Sequence, residues 1–186
     1  MEYVDAIRDI SKINAIKRLL KEQSQRDYLL FVLGINTGLK ITEMLAMRVQ
    51  DILNEDGTVK KFIDPPSYPT EGMPIYLNSK VKQAISLYLP TLPPQGNDYL
   101  FKSTKTDQPI TRQQAYRIIN KAAKNVGIEG KVGTHSMRKT FGYHAYKKGV
   151  AISLLQKLFH HASPSETLKY LGIKNEQITT EIDVNL

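Results

Sequence analysis

Apolar residues recur at steps of three and four through most of the chain. Between Ser11 and Gln23, Ile13, Ile16, Leu19 and Leu20 follow Ile7 and Ile10 in this rhythm, with Lys and Arg on the opposite face, which predicts an amphipathic helix. The next segment, Arg26 to Asn36, is nearly all apolar (Tyr28 to Leu33, then Ile35) and predicts a buried helix. Thr37-Gly38 should end it, because glycine accepts the left-handed backbone of a helix C-terminus. A third helix is predicted from about Thr42, whose hydroxyl can cap the first free amides, and it carries Met44, Leu45 and Met47.

The pattern then changes period. Asn54-Glu55-Asp56-Gly57 is a turn signal, and the short runs Val59 to Ile63 and Met73 to Leu77 predict a small hairpin-like sheet. Between them, Asp64-Pro65-Pro66-Ser67-Tyr68-Pro69 is no ordinary strand, since proline lacks the amide that a ladder needs. Helix returns from Ser79 to Leu89, followed by a loop of breakers from Pro90 to Gly96. Thr111-Arg112-Gln113-Gln114 has the form of a capping box, and Ala115, Ile118, Ile119, Ala122 and Val126 continue it as a helix up to Gly127. Two more helices are predicted from His135 to Lys148 and from Ile152 to Phe159. Ser163-Pro164-Ser165-Glu166 then starts a short helix carrying Tyr170, with serine as cap, proline at the first position and glutamate at the third. The expectation is one domain over residues 1–186, mainly α with a small antiparallel β-sheet; the polar tail of residues 174–186 is a candidate for contact with a neighbouring protomer.

Charge narrows the class of partner. The formal net charge is +8, and its basic residues recur in separate segments, which favours a polyanion. The helix after Thr111 is basic along one side, so Arg112, Arg117, Lys121 and Lys124 are candidates for DNA groove or phosphate contacts. Cysteine is absent, which excludes disulfides and zinc-thiolate sites and suits a reducing cytoplasm. No basic-then-apolar leader opens the sequence and no apolar run approaches the roughly 20 residues of a membrane span, so a cytoplasmic protein without a membrane partner is expected.

Candidate chemistry lies in the second half. His135 and Arg138, three apart on a predicted helix, share a face and can address one phosphate. A guanidinium offers forked hydrogen bonds to phosphate oxygens, and imidazoles handle protons near neutral pH. A tyrosine in line with the phosphorus can form a covalent intermediate without metal or cofactor. Taken singly, each residue has a plainer reading: Tyr170 as packing, His135 and Arg138 as a surface pair, Glu43 as a favourable charge at a helix N-terminus.

Together they are more specific. Thr37-Gly38-Leu39-Lys40-Ile41-Thr42-Glu43-Met44-Leu45, His135-Ser136-Met137-Arg138, His161-Ala162-Ser163 and Tyr170, nine residues after His161, occur in that order. The order and spacing resemble the tyrosine recombinase and phage integrase family, with its T-G-L-R-x-x-E-L segment, H-x-x-R pair, G-H-x-S-like segment and tyrosine nine residues after the second histidine. The resemblance runs from about Asn14 to Ile173. It implies a DNA breaking-rejoining catalytic domain of integrase type, with Tyr170 as nucleophile and Arg138, His135 and His161 around the phosphate. Lys40 stands at the first-arginine position, and Glu43 where the family's acidic residue positions active-site groups. Also implied are a 3′-phosphotyrosyl intermediate, double-stranded DNA as partner, several protomers on the DNA, and neither metal, cofactor nor small-molecule substrate. His160 competes with His161 for the histidine role, and the spacing favours His161.

Three departures stand against this pattern. Lys40 keeps the arginine's charge but loses its planar fork. The family's hairpin lysine, which protonates the leaving oxygen, has no counterpart in the stretch Asp64 to Gly72, and Lys60 and Lys61 lie on the preceding strand. The N-terminal DNA-clamping domain common in the family has no counterpart either, so the expectation is a piece of a longer protein or a member that works with one domain. Two alternatives follow: a catalytically inactive, recombinase-derived protein that occupies DNA sites, or a basic helical interaction module without DNA.

Overall fold

The computed structural model describes residues 4–64, 72–92, 97–174 and 183–185. Its elements are α1 (Ile10–Gln23), α2 (Gln25–Thr37), α3 (Ile41–Ala46), α4 (Val49–Ile52), β1 (Phe62–Ile63), β2 (Ile75–Tyr76), α5 (Ser79–Tyr88), a 3₁₀ turn (Leu89–Thr91), α6 (Arg112–Asn125), α7 (Thr134–Lys147), α8 (Ile152–Phe159) and α9 (Pro164–Tyr170). This is a mainly α fold with a small antiparallel sheet, as the sequence predicts.

The apolar segment becomes the centre. Every residue of α2 from Tyr28 to Gly34 is buried, and α1, α5 and α7 pack around it. α1 turns Ile13, Ile16 and Leu20 inward, and α6 buries Ala115, Ile119, Ala122 and Ala123 while its charged side stays in solvent. The α6 capping box forms as predicted: the Gln114 amide donates to Thr111 Oγ1 and the Thr111 amide to Gln114 Oε1. β1 and β2 pair antiparallel in the register Phe62↔Tyr76 and Ile63↔Ile75, so the isoleucines face the core and the aromatic pair faces solvent. The proline-rich stretch, residues 65–71, and most of the C-terminal tail, residues 175–182 and 186, lie outside the described residues.

One boundary differs from expectation. α3 begins at Ile41 with Lys40 as its cap, and the Thr42 hydroxyl does not cap it. Instead the buried Glu43 carboxylate accepts a hydrogen bond from the Lys40 amide at 2.8 Å. A carboxylate is the stronger acceptor, and at the third helical position it reaches back to that amide. The four-residue α4 and the 3₁₀ turn are too short to produce a readable period.

A smaller core of Leu155, Phe159, Leu168, Leu171 and Ile173 lies under α8 and α9, and α7 bridges the two cores. Met137 belongs to the larger core, and Phe141 packs on the smaller. Gly142 is the point of closest approach: a β-carbon there would meet Leu171 at 2.5 Å and Phe159 at 2.8 Å. The N-terminal segment ties this arrangement down. Lys139 Nζ donates to the Val4 carbonyl, the Ile7 amide to Thr140 Oγ1, and Arg8 to the Gly172 carbonyl just past α9. Among the described residues, no helix is long and apolar enough to cross a membrane.

Candidate active site

α7 carries His135, Arg138 and Lys139, three and four residues apart and therefore on one face. Arg138 is only 8% exposed. Its guanidinium donates to the carbonyls of Gly38 and Phe159, lies 4.5 Å over the Phe159 ring and is near enough to Tyr170 to favour its phenolate. These contacts tie the end of α2, the end of α8 and α9 to one cation. Gly38 is needed here twice over: its φ is +68°, and a β-carbon would collide with Phe141 at 2.5 Å.

Tyr170 sits in the last turn of α9. Its ring meets His161 edge-on at 5.0 Å and Phe159 at 5.6 Å, with Lys139 Nζ 5.0 Å from its centroid. Burial pushes the phenol's pKa up, and the charge and hydrogen bond of Arg138 pull it back down. The hydroxyl therefore keeps its proton at rest, and a cation is in place to receive the phenolate. The helix start that delivers Tyr170 is the predicted one: the Glu166 amide donates to Ser163 Oγ, and the Glu166 carboxylate accepts from the Ala162 amide at 2.7 Å.

The two sequence-predicted histidines have different neighbours. His161 is fixed beside Tyr170 by a 2.9 Å hydrogen bond between its Nδ1 and Oγ1 of the buried Thr167. Its pKa is lowered by burial and by Arg138, against an opposing pull from Glu166. His135, exposed in the first turn of α7, lines a groove with Arg112, Tyr116 and Arg117 of α6. Its pKa falls through burial first, then through the charges of Arg112, Lys139 and Arg138. Both imidazoles are thus neutral at pH 7 and able to accept a proton.

Arg138 also lines a cleft with Lys40, Glu43, Met73, Lys157 and His160. Glu43 fixes the backbone at Lys40 through the amide contact described above. Lys121 and Lys124 are exposed further along α6 and do not line the His135 groove, which receives Arg112 and Arg117 alone among the four predicted α6 residues. Lys102, one of the basic residues in the sequence, is instead engaged by Asp98 and Asp107 at 3.4 and 3.0 Å. Sequence reading missed Lys139 as a neighbour of Tyr170, although its four-residue spacing from His135 was a usable signal; Thr167, a buried threonine on a short helix, offered none.

The chain matches the model of the phage integrase family over residues 7–177. It is 40% identical to the probable integrase/recombinase YoeC of Bacillus subtilis, covering 95% of this chain and 93% of that protein. It is 30% identical to a tyrosine recombinase of Pseudothermotoga lettingae, covering 92% of this chain but 58% of the relative; against several tyrosine recombinases, then, it spans only about half of their length. The crystal structure of XerA recombinase superposes with a TM-score of 0.74 at 20% identity, over 94% of this chain and 61% of that one. XerH site-specific recombinase bound to its difH substrate gives a TM-score of 0.70 at 19% identity, over 95% and 53%. With a family match across nearly the whole sequence and a relative of almost equal extent, this chain belongs to the phage integrase family.

Proposed function

We propose that this chain cleaves and rejoins double-stranded DNA at specific sites through a 3′-phosphotyrosyl bond to Tyr170. The observation that carries the reading is the cluster in which buried Arg138 lies over Phe159, and Phe159 and His161 both pack against the Tyr170 ring. A phosphate entering here meets a forked cation at the atom that must attack it. The attacking oxygen passes its proton to a neutral imidazole, His161 being the nearer to the ring, and bonds to phosphorus as the bond to the 5′ oxygen breaks. Arg138, with Lys40 across the cleft, stabilises the charge that builds on the phosphate. The reverse displacement by a 5′-hydroxyl rejoins a strand, so no energy-rich cofactor enters. Glu43 acts at one remove, by holding the backbone that carries Lys40. Exchange between two sites requires more than one protomer on the DNA, and the tail of residues 174–186 is the segment we assign to contact between them.

On this reading DNA runs across α6 and the His135 groove. Replacing Arg112, Arg117, Lys121 and Lys124 by glutamine should flatten the dependence of log affinity on log salt by about one unit for each phosphate that is no longer neutralised. Titration of a duplex at several salt concentrations measures this, and an unchanged slope would turn α6 away from the DNA.

Lys40 favours a second reading, in which the chain occupies DNA sites without cutting them, because lysine replaces a fork with a point charge. Lys40→Arg separates the two. In a working site the added donor should raise single-turnover cleavage of a nicked suicide duplex by about 10- to 100-fold, with little change in DNA affinity. Cleavage by neither protein would favour the binding role, and a fall in rate on gaining arginine would mean that the site is built around lysine.

A further inference from the structure

Lys139 is only 8% exposed, an unusual place for an ammonium group, and burial pushes its pKa down while the Asp5 carboxylate pulls it up. Two contacts occupy it there. Its Nζ donates to the Val4 carbonyl at 2.9 Å and lies over the Tyr170 ring, 5.0 Å from the centroid. A neutral donor would satisfy a backbone carbonyl, whereas attraction to the face of an aromatic ring calls for a cation. Phe159 and His161 meet the same ring edge-on, at 5.6 and 5.0 Å. The ring is therefore bounded by two aromatic neighbours and one ammonium.

That ammonium is fixed from outside its own helix. Residues 4–8 lie along α7: the Ile7 amide donates to Thr140 Oγ1 at 2.8 Å, the Ile7 carbonyl accepts from His144 Nε2 at 2.9 Å, and Val4 and Ile7 are both buried. Arg8, exposed, donates to the Gly172 carbonyl at 3.0 Å, two residues past Tyr170. One segment thus reaches the nucleophile twice, at its ring through Lys139 and beyond the end of its helix through Arg8. Such support matters because α9 has only seven residues and carries Tyr170 at its last position, where helices fray.

We propose that Lys139 is a positioning residue for Tyr170 and that residues 4–8 set it, so that the N-terminal segment governs how the nucleophile is aimed. The inference rests on the DNA-cleavage reading above. In-line attack tolerates little misplacement, since an error of about 1 Å can cost roughly 10²-fold in rate. Lys139 neither moves a proton nor binds the phosphate in this account; it narrows the orientations open to the ring.

The test compares single-turnover cleavage of a nicked suicide duplex with affinity for an intact duplex of the same sequence, at temperatures where each variant is folded. Lys139→Met keeps the length of the side chain and removes its charge; it should cleave about tenfold more slowly or worse, yet bind within about twofold of the parent, because the position is buried. Lys139→Arg restores a cation and should return the rate to within about threefold of the parent. Arg8→Gln changes an exposed residue and leaves Lys139 in place, so it reads the segment even if Lys139→Met does not fold. It should slow cleavage several-fold without loss of affinity, and combined with Lys139→Met it should add less than its own factor, because both act through one segment. Parental rates in Lys139→Met or Arg8→Gln, an arginine variant as slow as the methionine one, or losses of affinity that match the losses of rate would overturn the assignment. A parent that forms no adduct would sink the cleavage reading and this inference with it, whereas a parent that cleaves no faster than all three variants would sink this inference alone.

Discussion

Changing Tyr170 to phenylalanine should abolish covalent attachment to a suicide duplex, by at least about 10³-fold, while leaving noncovalent DNA affinity within about twofold. Only one oxygen is removed. Arg138 keeps its carbonyl partners at Gly38 and Phe159, so stability should stay within about 1 kcal/mol of the parent's. A denaturing gel of trapped protein–DNA complexes and a thermal melt of the free variant measure the two halves of the prediction. An undiminished adduct would move the nucleophile elsewhere, with Tyr143 and Tyr146 of α7 next to be tested. Tyr143 is already placed structurally, under Arg8 at 4.8 Å and edge-on to His144.

Arg138→Gln should be the most damaging single change that spares the nucleophile. The guanidinium supports both the chemistry and the fold, because it is buried, bonds two backbone carbonyls and places its charge near the tyrosine. Glutamine is shorter and uncharged, so α8 and α9 lose their tie to the end of α2. A destabilisation of about 2–3 kcal/mol is expected, from the loss of charge-assisted hydrogen bonds at a buried position. Cleavage should fall by about 10²- to 10³-fold or more at temperatures where the variant is still folded. Arg138→Lys should recover part of the stability but little of the rate, since it restores charge without the fork. Urea melts and single-turnover cleavage distinguish these effects. A variant with normal rate and reduced stability would assign Arg138 a structural role only.

The helices were legible in the sequence because most are long enough to show period and carry their own caps, as Thr111 with Gln114 and Ser163 with Glu166 do. Motif order also grouped Tyr170, His161 and Arg138, and the structure brings their rings and charges into contact. The remainder depends on residues far apart in the chain. That Arg138 is buried follows from the approach of Gly38, 100 residues away, and no local pattern carries that distance. The role of Glu43 at the Lys40 amide was hidden behind a threonine equally able to cap a helix. His135 and Arg138 share a face as their spacing implied, yet one opens towards α6 and the other turns inward to α9, because the smaller core draws only the deeper side chain. The end of α8 at Phe159 was legible, but the left-handed backbone by which His160 caps it was not, because histidine does not select that conformation as glycine does.

Everything proposed for this site depends on a covalent bond between the protein and DNA, and its point of attachment can be read directly. The protein is trapped on a nicked suicide duplex, digested with protease and nuclease, and the nucleotide-bearing peptide is sequenced by mass spectrometry. One peptide is expected, carrying a 3′-phosphate linkage on Tyr170, with release of a free 5′-hydroxyl end. A linkage on any other residue, or DNA bound tightly with no covalent product at all, would contradict the assignment of Tyr170 as the nucleophile.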